Sequence, residues 1–257
     1  MTAAQLATGL RRLGLPAGAT VLVHSSMRSL GRIPDRPGTL FRALREVLGP
    51  GGTTVVPTFT PGNSLTSTMY QAAVEMMPPK ERTEYHRAMK PFDPATTPSA
   101  LGCFSEFVRT AEGAVRSAHP QTSFAAVGGG ADSLMARHDL DNKLGERSPL
   151  ARLYDRRAYI LLVGVGYSCC SAFHLAEHRY TAKPPLRAYH AVVLENGRRV
   201  WRRFLDVRHD DSDFALIGKH MEQKISVSHD TLVGADIRLC ELRAAVDFAT
   251  GWLRENR

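Results

Sequence analysis

Apolar residues in the first sixty positions follow two rhythms. In AAQLATGLRRLG, residues 3–14, they recur every three to four positions, the spacing of one helix face, and Gly14 supplies the stop. TVLVHSS, beginning at Thr20, is a short unbroken apolar run of the kind a sheet buries on both faces. The Gly/Pro loop SLGRIPDRPG leads to a second helical stretch, TLFRALREVLG, and the turn GPGG leads to a second apolar run, TTVVPTFT. This αβαβ order predicts helices packed on a largely parallel sheet.

Residues 61–98 break the rhythm with polar residues, prolines and two weak helical patches, and read as an insertion or lid. The pattern then resumes. LGCFSEFVRT predicts a helix, TSFAAVGG a strand or turn, AYILLVGVG a buried strand, and SAFHLAEHRY the start of a helix. From residue 186 the style changes: HAVVLENGRRVWRRFLDV alternates about Asn196-Gly197, a two-residue hairpin signal, and a helix is expected over 240–254.

At 257 residues with 43% hydrophobic content, the chain has enough apolar material for an ordinary core. Its 33 Lys and Arg exceed its 25 Asp and Glu, giving +8, which favours polyanionic partners or a phosphate-bearing cofactor. Aromatics are only 7% and do not interleave with basic runs, so no nucleic-acid partner is expected. The first segment lacks the features of a secretory leader and no window approaches eighteen apolar residues; we expect a cytoplasmic chain with no membrane association. Cys103 and Cys240 stand alone and Cys169 and Cys170 are adjacent, a pattern of reduced thiols rather than a disulfide framework.

Three stretches carry candidate chemistry. AFHLAEHRY, residues 172–180, sets His174, Glu177 and His178 in the spacing H-x-x-E-H, which on a helix shares one face and matches a zinc-peptidase signature. Catalytic zinc would need a third protein ligand and a water; a capping or surface histidine pair and a metal-free catalytic histidine are the other readings. Ser25 and Ser26 end a strand, where hydroxyls and backbone N–H groups hold phosphate or amide oxygens, or simply cap the next element. LDVRHDDSDF gathers Asp206, Asp210, Asp211 and Asp213, suited to a polycation or to a solvated loop in which Asp213 caps a helix at Phe214.

VLVHSSMRSLG (21–31), LGPGGTTVVPTFT (48–60), VRSAHPQTSFAAVG (115–128), SPLARLY (148–154), ILLVGVG (160–166), AFHLAEHR (172–179), DFALIGKHME (213–222) and VGADIRLCELRAAVDFATGWL (233–253) give the chain a wider context. In this order and register they resemble the aminoglycoside 3-N-acetyltransferase family. The resemblance implies a three-layer α/β/α fold with a mixed, largely parallel central sheet and an inserted lid segment. It implies one acetyltransferase domain over 1–257, with a cofactor-binding part over 1–185 and a C-terminal part over 186–257 carrying the hairpin and the acidic loop. The implied activity is direct acetyl transfer from acetyl coenzyme A, without metal, to the 3-amino group of a 2-deoxystreptamine aminoglycoside, giving antibiotic resistance.

Carried onto this chain, the resemblance makes His174 the general base and Glu222 the carboxylate that orients it. Ser25, Ser26, Leu30, Gly31, Arg116, Ser117 and Ser123 become coenzyme contacts, and Glu177, Asp206, Asp210 and Asp211 become ammonium contacts. His119 is the base in reserve. One departure stands next to the histidine: YSCCSAFH places Ser168, Cys170 and Ser171 where related sequences usually have an Asp and an Asn-Thr pair. That leaves open a Cys170 nucleophile with an acetyl-thioenzyme, and an oxyanion donor at Ser171. A different small amine as acceptor and a zinc hydrolase remain the rival functions, and the oligomeric state is open.

Overall fold

The computed structural model describes residues 1–31 and 33–257. Helix α1 (Ala3–Arg12) begins with a reciprocal capping box between Thr2 and Gln5, and Gly14 follows it at φ 98°. Strand β1 (Thr20–Ser25), α2 (Arg36–Leu48) and β2 (Thr53–Pro57) complete the αβαβ start. After the insertion, which holds α3 (Thr68–Val74) and α4 (Pro79–Ala88), come α5 (Cys103–Arg109), β3 (Val115–Arg116), β4 (Phe124–Gly128), α6 (Ala131–Met135) and α7 (Pro149–Asp155). Then follow β5 (Tyr159–Val163), α8 (Phe173–Glu177), β6 (Leu186–Glu195), β7 (Arg198–Val207), α9 (Phe214–Met221), β8 (Val227–Leu232), β9 (Ala235–Glu241) and α10 (Leu242–Asn256).

Seven strands form one mixed sheet in the order β3-β4-β2-β1-β5-β9-β8. The centre is parallel, since β1 pairs in parallel with both β2 and β5; β4, β3, β9 and β8 add antiparallel partners at the flanks. Alternate residues of the central strands feed two cores. Leu22, Val55, Ile160 and Leu162 face α6 to α10, while Val21, Val23, Val56, Leu161 and Val163 face α1, α2 and α5. Each such fully buried aliphatic contributes about 1.5–3 kcal/mol, and together they explain why these strands are unbroken apolar runs.

The β8–β9 hairpin has no turn signal in the sequence. Val233 occupies φ 54° ahead of Gly234 at φ 82°, a left-handed position that a β-branched residue seldom takes. The β6–β7 hairpin forms a separate two-stranded sheet, and Asn196 and Gly197 both adopt positive φ as its two-residue turn requires. The insertion docks on this hairpin. Asn63 donates to the Val192 carbonyl and accepts from its N–H, Phe92 bridges to Val193, and the Trp201 ring meets His86 edge-on at 5.8 Å. Among the described residues no helix is long and apolar enough to cross a membrane.

Candidate active site

Because β1, β2 and β5 run parallel, their carboxyl ends lie along one edge, the place where open α/β sheets bind ligands. A cleft of about 250 Å³ opens there. His24 and Ser25 reach it from the end of β1, Phe59 from beyond β2, and Ser171 and His174 from the segment after β5, with Asp211 and Phe214 closing the far side.

His174 sits in the single turn of α8, tilted against the rings of Phe214 at 4.8 Å and His209 at 4.9 Å. Its Nδ1–H donates to Glu177 Oε2 at 2.6 Å. Glu177 is fully buried, and its other oxygen accepts from Arg257 Nη1 at 2.7 Å and from the Asp210 N–H at 2.8 Å. A carboxylate out of water needs such charged and polar donors. The chain of contacts Arg257–Glu177–His174 therefore fixes one imidazole tautomer, in which Nε2 keeps its lone pair in a side chain that lines the cleft.

Beside it, His24 Nε2 lies 3.3 Å from Ser171 Oγ. Burial, with a smaller contribution from the neighbouring His174, pushes the His24 imidazole down to about 4, so it is neutral near pH 7. Cys170 is fully buried and burial pushes its thiol well above the usual range. A thiol held protonated is a poor nucleophile, which removes the support for the acetyl-thioenzyme expectation.

Several expected assignments are corrected by these positions. Glu222 does not hold His174: its Oε1 accepts from Arg238 Nε at 3.0 Å and lies 3.4 Å from His229 Nε2, beyond the end of α9. The carboxylate on His174 is that of Glu177, which is consequently unavailable to an ammonium group. Asp206 is buried at the end of β7 and accepts from the N–H groups of Lys143 and Val207, 2.5 and 2.7 Å away. Asp210 presents its N–H to Glu177 and bonds Ser212 with its side chain, so of the four loop carboxylates only Asp211 lines the cleft. Asp213 does stand at the start of α9, but its carboxylate takes Arg257 at 2.7 and 2.8 Å instead of a helix N–H.

The coenzyme set divides in the same way. Ser25 lines the cleft, and Ser26 ties the end of β1 to that of β5 through its N–H and the Val163 carbonyl. Leu30 is fully buried in the core and Gly31 packs on the backbone of Val233. Arg116 commits most of its guanidinium to Thr58, Ser123 and the carbonyls of Pro94 and Thr97, which turns it towards the protein. Ser117 is fully buried against His138 and the Phe124 N–H, and Ser123 against Thr58. His119, the reserve base, is buried and receives N–H groups of Gln121 and Thr122 at Nδ1 while Nε2–H donates to the Leu140 carbonyl. Finally, His174 and His178 do not converge: they fall into two separate clusters, one with Glu177 and one with Asp206, that share only His209. His24 was not anticipated; its signal was a lone histidine at the carboxyl end of an apolar strand.

Residues 22–254 match the aminoglycoside 3-N-acetyltransferase family. The chain belongs to that family. It is 34% identical to aminoglycoside N(3)-acetyltransferase VII of Streptomyces paromomycinus, over 99% of this chain and 92% of that one. The crystal structure of the YokD protein from Bacillus subtilis superposes with a TM-score of 0.92 at 30% identity, covering 99% of each chain. AAC-IIIb, solved as a binary complex with CoASH, superposes with a TM-score of 0.86 at 26% identity, covering 100% of this chain and 97% of that one. The family is described as an acetyltransferase one, which supports acetyl transfer over a zinc hydrolase.

Proposed function

We propose that this protein transfers the acetyl group of acetyl coenzyme A to the 3-amino group of a 2-deoxystreptamine aminoglycoside, in the cytoplasm, by direct attack within a ternary complex. The observation that supports this reading is the buried Glu177 carboxylate 2.6 Å from His174 Nδ1 beside an open cleft. The acceptor enters as the free amine, its ammonium proton having gone to solvent; as its nitrogen attacks the thioester carbonyl, His174 Nε2 takes the remaining surplus proton from that nitrogen and Glu177 stabilises the resulting imidazolium. The C–N bond forms as the C–S bond breaks, and the departing thiolate collects the proton from the imidazolium. Ser171 and the neutral His24, which line the cleft beside His174, are the hydrogen-bond donors we assign to the carbonyl oxygen.

The cleft at His174 is small for two substrates, but a larger one of about 780 Å³, lined by the insertion, is bounded by Thr60 and Ala100, next in the chain to Phe59 and Leu101 of the first. It offers room for the body of a substrate. A second reading is favoured by charge: among the described residues Asp211 is the one carboxylate lining the cleft, which suits a small amine of low charge better than a polycation. Thiol release from acetyl coenzyme A, measured against a panel of aminoglycosides and of simple primary amines, tests both. Turnover with an aminoglycoside supports the first reading, turnover confined to simple amines the second, and none with any amine overturns acetyl transfer.

A further inference from the structure

The H-x-x-E-H stretch contains one histidine that the proposed transfer does not use. His178, at the end of α8, turns away from the cleft, and its Nε2 meets His209 Nε2 at 3.1 Å. Asp206 Oδ1, from the end of β7, lies 3.9 Å from the same His178 nitrogen, and all three donor atoms fall within 4.8 Å of one another. Zinc bonds of about 2.0–2.2 Å to imidazole and carboxylate in a tetrahedron require ligand-to-ligand separations of about 3.4 Å. The three atoms are therefore spaced close to what one ion would need, and they come from two stretches of chain already held in place, the end of α8 and the end of β7 with the segment that follows it.

The other cluster, His174, Glu177 and His209, is a poorer candidate although its atoms are as near. There the His174 Nδ1 and Glu177 oxygens are already spent on each other, on Arg257 and on the Asp210 N–H. In the His178 cluster the two imidazole nitrogens bond each other, and each Asp206 oxygen accepts one backbone N–H but meets no charged donor among the described residues. Gly145 backs the His178 ring so closely that a Cβ there would sit 2.4 Å from Nδ1, which helps hold Nε2 towards His209. The buried Lys143 ammonium, stacked on Tyr189 at 3.7 Å, opposes a cation nearby, whereas the carboxylates of Asp206 and Glu177 favour one.

We propose that His178, His209 and Asp206 form a binding site for a divalent zinc ion, with water in the fourth position, separate from the acetyl-transfer machinery. Neutral imidazole and carboxylate are the ligand types zinc takes.

The experiment is calorimetric titration of the untagged, metal-stripped protein with zinc chloride, with cobalt as a spectroscopic substitute. One ion per chain is expected, with cobalt giving the intense visible bands of a tetrahedral site. His178→Gln and Asp206→Asn should each lose at least about tenfold in affinity, since removing a ligand costs no less than removing an outer partner. Both variants are first shown to be folded by circular dichroism. If one is not, the other and the wild-type cobalt spectrum decide. Absence of binding, an octahedral cobalt spectrum, or equal binding by the folded variants overturns the site. Binding is read without turnover, so failure of the transfer reading leaves this test intact.

Discussion

Two charges, one half-buried and one fully buried, sit near the same sheet edge and have opposite consequences. Arg116 lies at the end of β3 with its Nε shared between Thr58 and Ser123 at 3.1 and 3.0 Å, its remaining nitrogens on backbone carbonyls, and its plane over Phe92 at 4.9 Å. All three of its nitrogens donate to the protein, and burial pulls its pKa down to about 10. Glu177 is equally well supplied, by Arg257, Asp210 and His174, but the last of these partners ends in a ring nitrogen beside a cleft. Closed networks hold elements together; here that means the insertion against the sheet. A network that stops one valence short at a cavity can do chemistry.

The contrast breaks most directly at His174. His174→Ala should lower kcat roughly 10²–10⁴-fold while acetyl coenzyme A binding, followed by calorimetry, stays near wild type. Glu177→Gln should lower kcat less, and the double variant should be little worse than His174→Ala, because an orienting carboxylate has nothing left to orient. Near-normal kcat in folded His174→Ala would show that the open valence is not the base.

Arg116→Ala probes the closed network. Stranding the Thr58, Pro94 and Thr97 carbonyls should cost about 3 kcal/mol or more in urea unfolding, with the KM for acetyl coenzyme A little altered in the folded protein. A weakened KM at unchanged stability would make Arg116 a cofactor contact after all.

The pH dependence of stability extends the same logic to the histidines. Burial holds His24 and His178 down to about 4 and His138 to about 3, and keeps His119 and His209 well below the usual imidazole range. Unfolded imidazoles titrate near 6.5. Below that value the unfolded chain binds more protons than the folded one, so stability present above about pH 6.5 drains away as pH falls towards 4, by up to about 1.4 kcal/mol per pH unit for each ring. Asp206 works the other way, since burial raises it to about 6 and ionisation above that pH costs stability. Five rings outweigh one carboxylate, so Tm should drop from pH 7 to pH 5; a flat profile would mean that these rings are already accessible to protons.

The smallest effect belongs to Glu222→Gln. Its pairing with Arg238 is partly exposed, worth at most about 1 kcal/mol, and kcat should be unchanged. A loss of kcat as large as that of Glu177→Gln would restore Glu222 as a partner of the base.

Periodicity alone was enough to read the central strands, the Asn196-Gly197 hairpin and the flanking helices, because each is written in local spacing. Other features are not local. The β8–β9 turn hides behind a valine in a glycine's conformation. Ser117, Ser123 and Arg116 look like a polar channel in one dimension, but the β3–β4 pairing turns them inward against Thr58 and His138. Glu222 could be placed near His174 only by analogy, whereas Glu177 was three residues away and its role depended on Arg257, eighty positions later in the chain. Spacing announces which groups share a helix turn; it cannot announce which of them water still reaches.

The docking of the insertion on the β6–β7 hairpin has an optical consequence. The chain has two tryptophans. Trp201 lies in that contact, its ring against His86 and under the Arg199 guanidinium at 5.6 Å, while Trp252 is bonded to His220 on α9. Replacing Trp252 by phenylalanine leaves a single tryptophan, at the contact between the insertion and the hairpin, so its selectively excited emission colour and quenching would report movement of the insertion without any attached dye.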